Sequence, residues 1–170
     1  RPQGGGVESI IYLFDADGYV LLPLPEGTRN GLASAADEVF PILTGVSRSD
    51  LRLGRRAESA QIRAALRLIS EFENSPMAGL VDLKHIDVSA PEILRVTSGQ
   101  GSEVIFGLSQ LDRQLGRWRT IHDTAARQGS GIATLDLSVT NNIPVRWTDL
   151  GATPPSSKPV KPSRQRKKNV

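Results

Sequence analysis

Apolar residues fall in short strand-like runs toward both ends of the expected folded body and at helical intervals in two longer stretches between them. Ile10-Ile11-Tyr12-Leu13-Phe14 and Tyr19-Val20-Leu21-Leu22 flank Asp15-Ala16-Asp17-Gly18. An Asp-Gly turn tolerates positive φ, so this segment predicts a hairpin, ended by Pro23 and Pro25. A loop-rich stretch follows, including Phe40-Pro41-Ile42-Leu43-Thr44-Gly45. From residue 55 to 74 the period becomes helical: Ile62, Leu66, Ile69 and Phe72 share a face with Ala65, and Asn74-Ser75-Pro76 stops the run. Three short apolar runs come next, at residues 81–88, 93–97 and 103–106, the last two joined by Ser98-Gly99-Gln100-Gly101. A second helix is expected over residues 111–127, with Ser109 and Asp112 in capping-box spacing and Leu111, Leu115, Trp118, His122 and Ala125 as its stripe. The pattern closes with a strand at residues 132–139, where Leu135, Leu137 and Val139 alternate with Asp136 and Ser138. A turn at Asn141-Asn142 and a last strand at residues 143–147 follow.

Hairpin, helix, strands, helix, hairpin is the order of an α+β domain: a mostly antiparallel sheet with two helices packed on it. At 170 residues the chain suits one domain with a tail. Residues 1–6 predict a flexible lead-in, residues 7–152 the folded body, and residues 153–170 a disordered basic tail rich in Pro, Ser, Lys and Arg.

The pI of about 9.6 belongs to that tail. Six of the 21 basic residues lie after Leu150 with no acid among them, which leaves 15 against 18 acids upstream, a body at −3. The absence of cysteine removes disulfides, thiolate metal sites and cysteine nucleophiles, and two histidines, His85 and His122, are too few for a multi-histidine metal centre. No run approaches the roughly 18 apolar residues of a membrane helix. The start at Arg1 instead of methionine suggests a trimmed fragment whose anchor or signal lay upstream.

Each candidate chemistry has a plainer reading beside it. Asp15-Ala16-Asp17-Gly18 lacks the later ligands of a calcium loop, so a hairpin turn explains it. Gly107-Leu108-Ser109 lies where a nucleophile elbow would put its serine, but Leu111 stands where the elbow needs glycine. A serine hydrolase using Ser109 is the enzymatic alternative. Asp82, His85 and Asp87 offer two metal ligands at most on one strand face, so a solvated polar face is expected. Glu71 with Glu73, and Asp112 with Asp123, read as ordinary helix-surface charges. No catalytic residue, metal or cofactor is assigned. The basic tail could bind nucleic acid or an anionic membrane surface, yet it has no aromatic residue for base stacking.

Three segments, in order, resemble the C-terminal β domain of the bacterial cell-division family FtsQ/DivIB. The first is Asp15-Ala16-Asp17-Gly18-Tyr19-Val20 followed by Phe40-Pro41-Ile42-Leu43-Thr44-Gly45, which is similar to the family's "D-x-D-G" turn and "lPxLtG" segment. The second is Glu103-Val104-Ile105-Phe106-Gly107 with a helix containing Gln114-Leu115-Gly116-Arg117-Trp118. The third runs from Leu135-Asp136-Leu137 through Asn141-Asn142 to Ile143-Pro144-Val145-Arg146-Trp147, similar to the closing "DLRY…G.aVxW" hairpin. The resemblance implies a non-catalytic scaffold of the divisome. It also implies a domain lying outside the cytoplasmic membrane and anchored by an upstream helix. Partners of the FtsB and FtsL kind would be bound by strand addition at the closing strand. The partner-binding residues it implies here are Val139, Asn141, Asn142, Ile143, Val145, Arg146 and Trp147. This sequence departs from the pattern at Ser138-Val139, where the family has Arg-Tyr, and Pro144 predicts that the last strand is an edge.

Overall fold

The computed structural model describes residues 10–24 and 40–149; the expected lead-in and basic tail lie outside them. The domain is α+β. Six strands, β1 (Ile42–Thr44), β2 (Leu83–Asp87), β3 (Ile93–Ser98), β4 (Glu103–Gly107), β5 (Ser130–Asp136) and β6 (Val145–Asp149), form one sheet in sequential order. Helix α1 (Ala60–Glu73) lies between β1 and β2, and helix α2 (Leu111–Arg127) between β4 and β5. Those are the two parallel pairs, and each helix is their crossover; the other three neighbour pairs are antiparallel. The sheet is therefore mixed, with antiparallel pairing in the majority.

The register explains where the core sits. Leu43, Ile86, Val96, Val104, Leu135 and Val145 stand side by side across all six strands on the helix-covered face. The neighbouring row, Ile42, His85, Thr97, Glu103, Thr134 and Arg146, points to the other face, which no helix covers among the described residues. Because side chains alternate along a strand, one sequence supplies both faces. Bulges at Lys84 in β2 and Ala133 in β5 shift the alternation locally, which is how Leu83 and Ile86, three apart, are both buried.

Trp118 of α2 anchors the core at 1% exposure, 6.0 Å from the Phe72 ring of α1 and 5.8 Å, edge-on, from Phe106 of β4. It ties both helices to the sheet. The α2 stripe differs from expectation at two positions: Gln114 is buried within it, and His122 is only half-buried. On α1 the buried face includes Leu68 and Ala64, and Leu66 and Ile69 are partly buried, because the helix packs on α2 along one side and beneath the N-terminal hairpin along the other.

Several boundaries differ from the sequence reading. The segment expected to be a loop at residues 40–45 contains β1, whose three residues are too few to show an alternation. Helix α1 starts at Ala60, with the Ser59 hydroxyl accepting from the Ile62 amide; the residues before it run extended beside the hairpin. The hairpin itself is present as bridges between Ile11 and Leu24 and between Phe14 and Val20, and Tyr19 pairs in turn with Arg56. Its turn is built on Asp15, whose carboxylate accepts from the Asp17 and Tyr19 amides at 3.0 and 2.8 Å. Ser109 does not cap α2: Gln110 occupies that position in the left-handed region (φ +53°) with no side-chain capping bond.

Candidate functional site

Among the described residues β6 is the terminal strand of the sheet and pairs with β5 alone. Its approach differs from the tight hairpin the sequence suggested. β5 stops at Asp136, whose carboxylate accepts from the Ser138 amide at 3.0 Å and hydroxyl at 2.6 Å, turning the chain out of the ladder. Leu137 is still buried, its amide donating to the Ile105 carbonyl, but Val139 is 37% exposed and outside the strand. The Val139 carbonyl accepts instead from Arg117 of α2 at 3.0 Å. Asn141 and Asn142 are exposed on the connecting loop, Asn142 at φ +50°, a conformation asparagine tolerates. Ile143 turns inward against the core.

Of the seven residues singled out in the sequence, Val145, Arg146 and Trp147 therefore lie on the edge strand, and Val139, Asn141, Asn142 and Ile143 form its approach. Thr148, exposed and also in β6, had no sequence signal to distinguish it from a chain that had left the sheet.

The backbone geometry of the edge follows from one bond. The Asp136 amide donates to the Pro144 carbonyl at 3.0 Å, so residue 144 faces β5. In an antiparallel ladder, residues that face the partner alternate with residues that face away. Arg146 and Thr148 then face β5, while the N–H and C=O groups of Val145 and Trp147 point outward. Pro144 lies just before the strand, not within it, and its missing N–H falls on the β5 side. The outward row loses no donor. Side chains sort by face: Trp147, 45% exposed, stands beside Ile132 on the helix side, and Arg146 stands beside Thr134 on the open side.

The opposite edge is different. The Thr44 carbonyl accepts from Val88 at 2.9 Å, so in β1 Leu43 is the residue facing outward. Pro41 precedes that strand, and Gly45, at φ +74°, follows it. One outward residue between a proline and a turn is a blunted edge, and β6 is the longer open one.

The enzymatic candidates are not assembled into a site. Ser109 is exposed, and among the described residues no hydrogen bond joins its hydroxyl to a histidine; its carbonyl accepts from the Gln114 amide at 2.6 Å. Arg67 holds Glu71 at 2.6 Å, and Arg119 holds Asp123 through both oxygens at 2.9 Å, so these carboxylates pair along their own helices and not with Glu73 or Asp112. A cleft of about 420 Å³ between α1 and α2 exposes Ser70, Asn74, Asp112 and Gly116 over Met77 and Leu115, with no histidine in it. His85 and Asp87 share the open face, as expected, and Ser89 holds the Asp87 carboxyl below its ordinary value through its hydroxyl and its amide, with Arg95 adding to the effect. Among the described residues no group of three metal-ligating side chains is present.

No protein-family model matches this chain, and no curated protein sequence matches it.

Proposed function

We propose that this chain is a non-catalytic binding domain that takes a strand from a partner protein along the open edge of β6. Its role would be that of the FtsQ/DivIB scaffold: an extracytoplasmic domain of a membrane-anchored divisome protein that collects FtsB- and FtsL-like partners. The observation that carries the reading is the outward row of backbone groups at Val145 and Trp147, unpaired among the described residues and flanked by an exposed aromatic side chain. Unpaired edge groups are a template for strand addition, and a tryptophan beside them is the residue type that dominates interface energetics. The sequence segments that resemble the family end on this same strand. The α+β sheet with its two crossover helices supports the reading as a rigid platform.

The test is calorimetric titration of the 170-residue chain with the soluble extracytoplasmic segment of an FtsB-like partner, using the parent and Trp147→Ala. Trp147 stands outside the main apolar cluster, so its truncation should leave the fold intact by circular dichroism. Affinity should fall at least tenfold, within the range of interface hot spots. Equal affinity for parent and variant would place docking elsewhere.

A further inference from the structure

The edge also specifies what chemistry its partner strand should carry, an inference that rests on the strand-docking reading above. We infer that β6 selects an alternating apolar–acidic segment, with an Asp or Glu set against Arg146. In an antiparallel strand hydrogen-bonded to Val145 and Trp147, the residues directly opposite those two project to the helix side, beside the exposed Trp147 ring and the partly buried Val145. They should be apolar. The residue between them lies opposite Arg146 on the other face. That position is a non-hydrogen-bonded pair, the closer of the two antiparallel pair types, at about 4.5 Å between Cα atoms. Arg146 is exposed, and among the described residues it has no salt bridge; its neighbour in β5 is the uncharged Thr134. An acidic residue opposite it gains a cross-strand ion pair, whereas a basic one meets a like charge.

The same preference extends along the chain. The sequence after Leu150 carries six Lys and Arg residues and no acid, a charge that also favours an acidic partner over a basic one. A second copy of this chain is a poorer occupant. The two-fold register centred on Arg146, which pairs Val145 with Trp147, sets Arg146 against itself.

Three synthetic nine-residue peptides separate this inference from the reading beneath it. Each alternates valine with one other residue: glutamate, threonine or lysine. Protection of the Val145 and Trp147 amides from exchange reports strand addition whatever the charge, and the dissociation constants report selectivity. The glutamate peptide should bind roughly tenfold more tightly than the lysine peptide at low salt, as opposite and like cross-strand pairs differ. Most of that gap should close in Arg146→Glu. Equal affinities in the parent, or a gap that Arg146→Glu leaves unchanged, overturn the acidic preference while amide protection still upholds strand docking. If no peptide protects the two amides, or if they become protected as the protein alone is concentrated, the strand-docking reading falls and this inference with it.

Discussion

Gln114 is one buried amide that does the work of a cap. Its Oε1 accepts from the Gly107 amide at 2.8 Å, and its Nε2 donates to the carbonyls of Ser109 at 2.6 Å and Gly107 at 3.3 Å. These bonds satisfy the backbone where β4 turns into α2, a place where Gln110 makes no capping bond of its own. Replacing Gln114 by Ala leaves these part-buried backbone groups without their partner and should cost about 1–2 kcal/mol in urea unfolding. A loss below about 0.5 kcal/mol would mean that water substitutes freely there. Gly45 is constrained more severely: at φ +74°, an added Cβ would stand 2.7 Å from Asp87 Oδ1 and 2.8 Å from the Ser89 nitrogen. At Gly54, φ +69°, an added Cβ would meet nothing within 4 Å among the described residues. Gly54→Ala should therefore show only the left-handed penalty of about 1–2 kcal/mol, and Gly45→Ala clearly more, because backbone must move. Equal losses would contradict the close approach. Asp87, in the same contact, has a folded-state pKa below its ordinary 3.8. Its contribution to stability is present above that ordinary value and fades as pH falls through the lower, folded one. The stability difference between the parent and Asp87→Asn, measured from pH 6 down to pH 3, should shrink; a constant difference would mean that the Ser89 contacts do not favour the carboxylate.

Among the elements, α2 carries the most weight in the packing, because Trp118 touches both α1 and the sheet. Trp118→Ala should cost about 3–5 kcal/mol of stability by chemical denaturation, and a loss under about 1 kcal/mol would place the indole outside the core. Its place was readable from helical spacing, as were both helices, the β3–β4 hairpin and the DxDG turn, since each has a long period or a turn residue whose conformation is fixed. The strand β1 was not readable, because three residues carry no period and its partner lies about 40 positions away in sequence, across α1. The end of β5 was missed for a different reason. Leu137 continues the alternation of Leu135, so the pattern ran on to Val139. The chain leaves the ladder at Asp136 because that carboxylate offers Ser138 a local turn, a competition that periodicity does not register. β6 is the edge strand the sequence suggested, but not on the ground Pro144 offered, since that proline lies before the strand with its nitrogen toward β5. Which backbone groups point outward follows from the Asp136–Pro144 bond, which periodicity does not show.

For the whole molecule, the arrangement leaves its longest open sheet edge at one end, among the described residues. The helices bury one face, the other carries mixed charges such as the Arg95–Glu103 pair at 3.5 Å, and β1 presents a short edge bounded by Pro41 and Gly45. Among the described residues, β6 alone combines length, an outward row at Val145 and Trp147, and an exposed aromatic beside it. The central claim is that this row receives a partner strand. It is tested most directly by residue-resolved amide exchange on the 170-residue chain, free and saturated with the soluble segment of an FtsB-like partner. In the free protein the Val145 and Trp147 amides should exchange quickly and the Arg146 amide, facing β5, slowly; on binding, the first two should become protected by at least an order of magnitude while Arg146 changes little. Val145 and Trp147 amides already protected in the free protein, or still unprotected at saturation, would contradict the account.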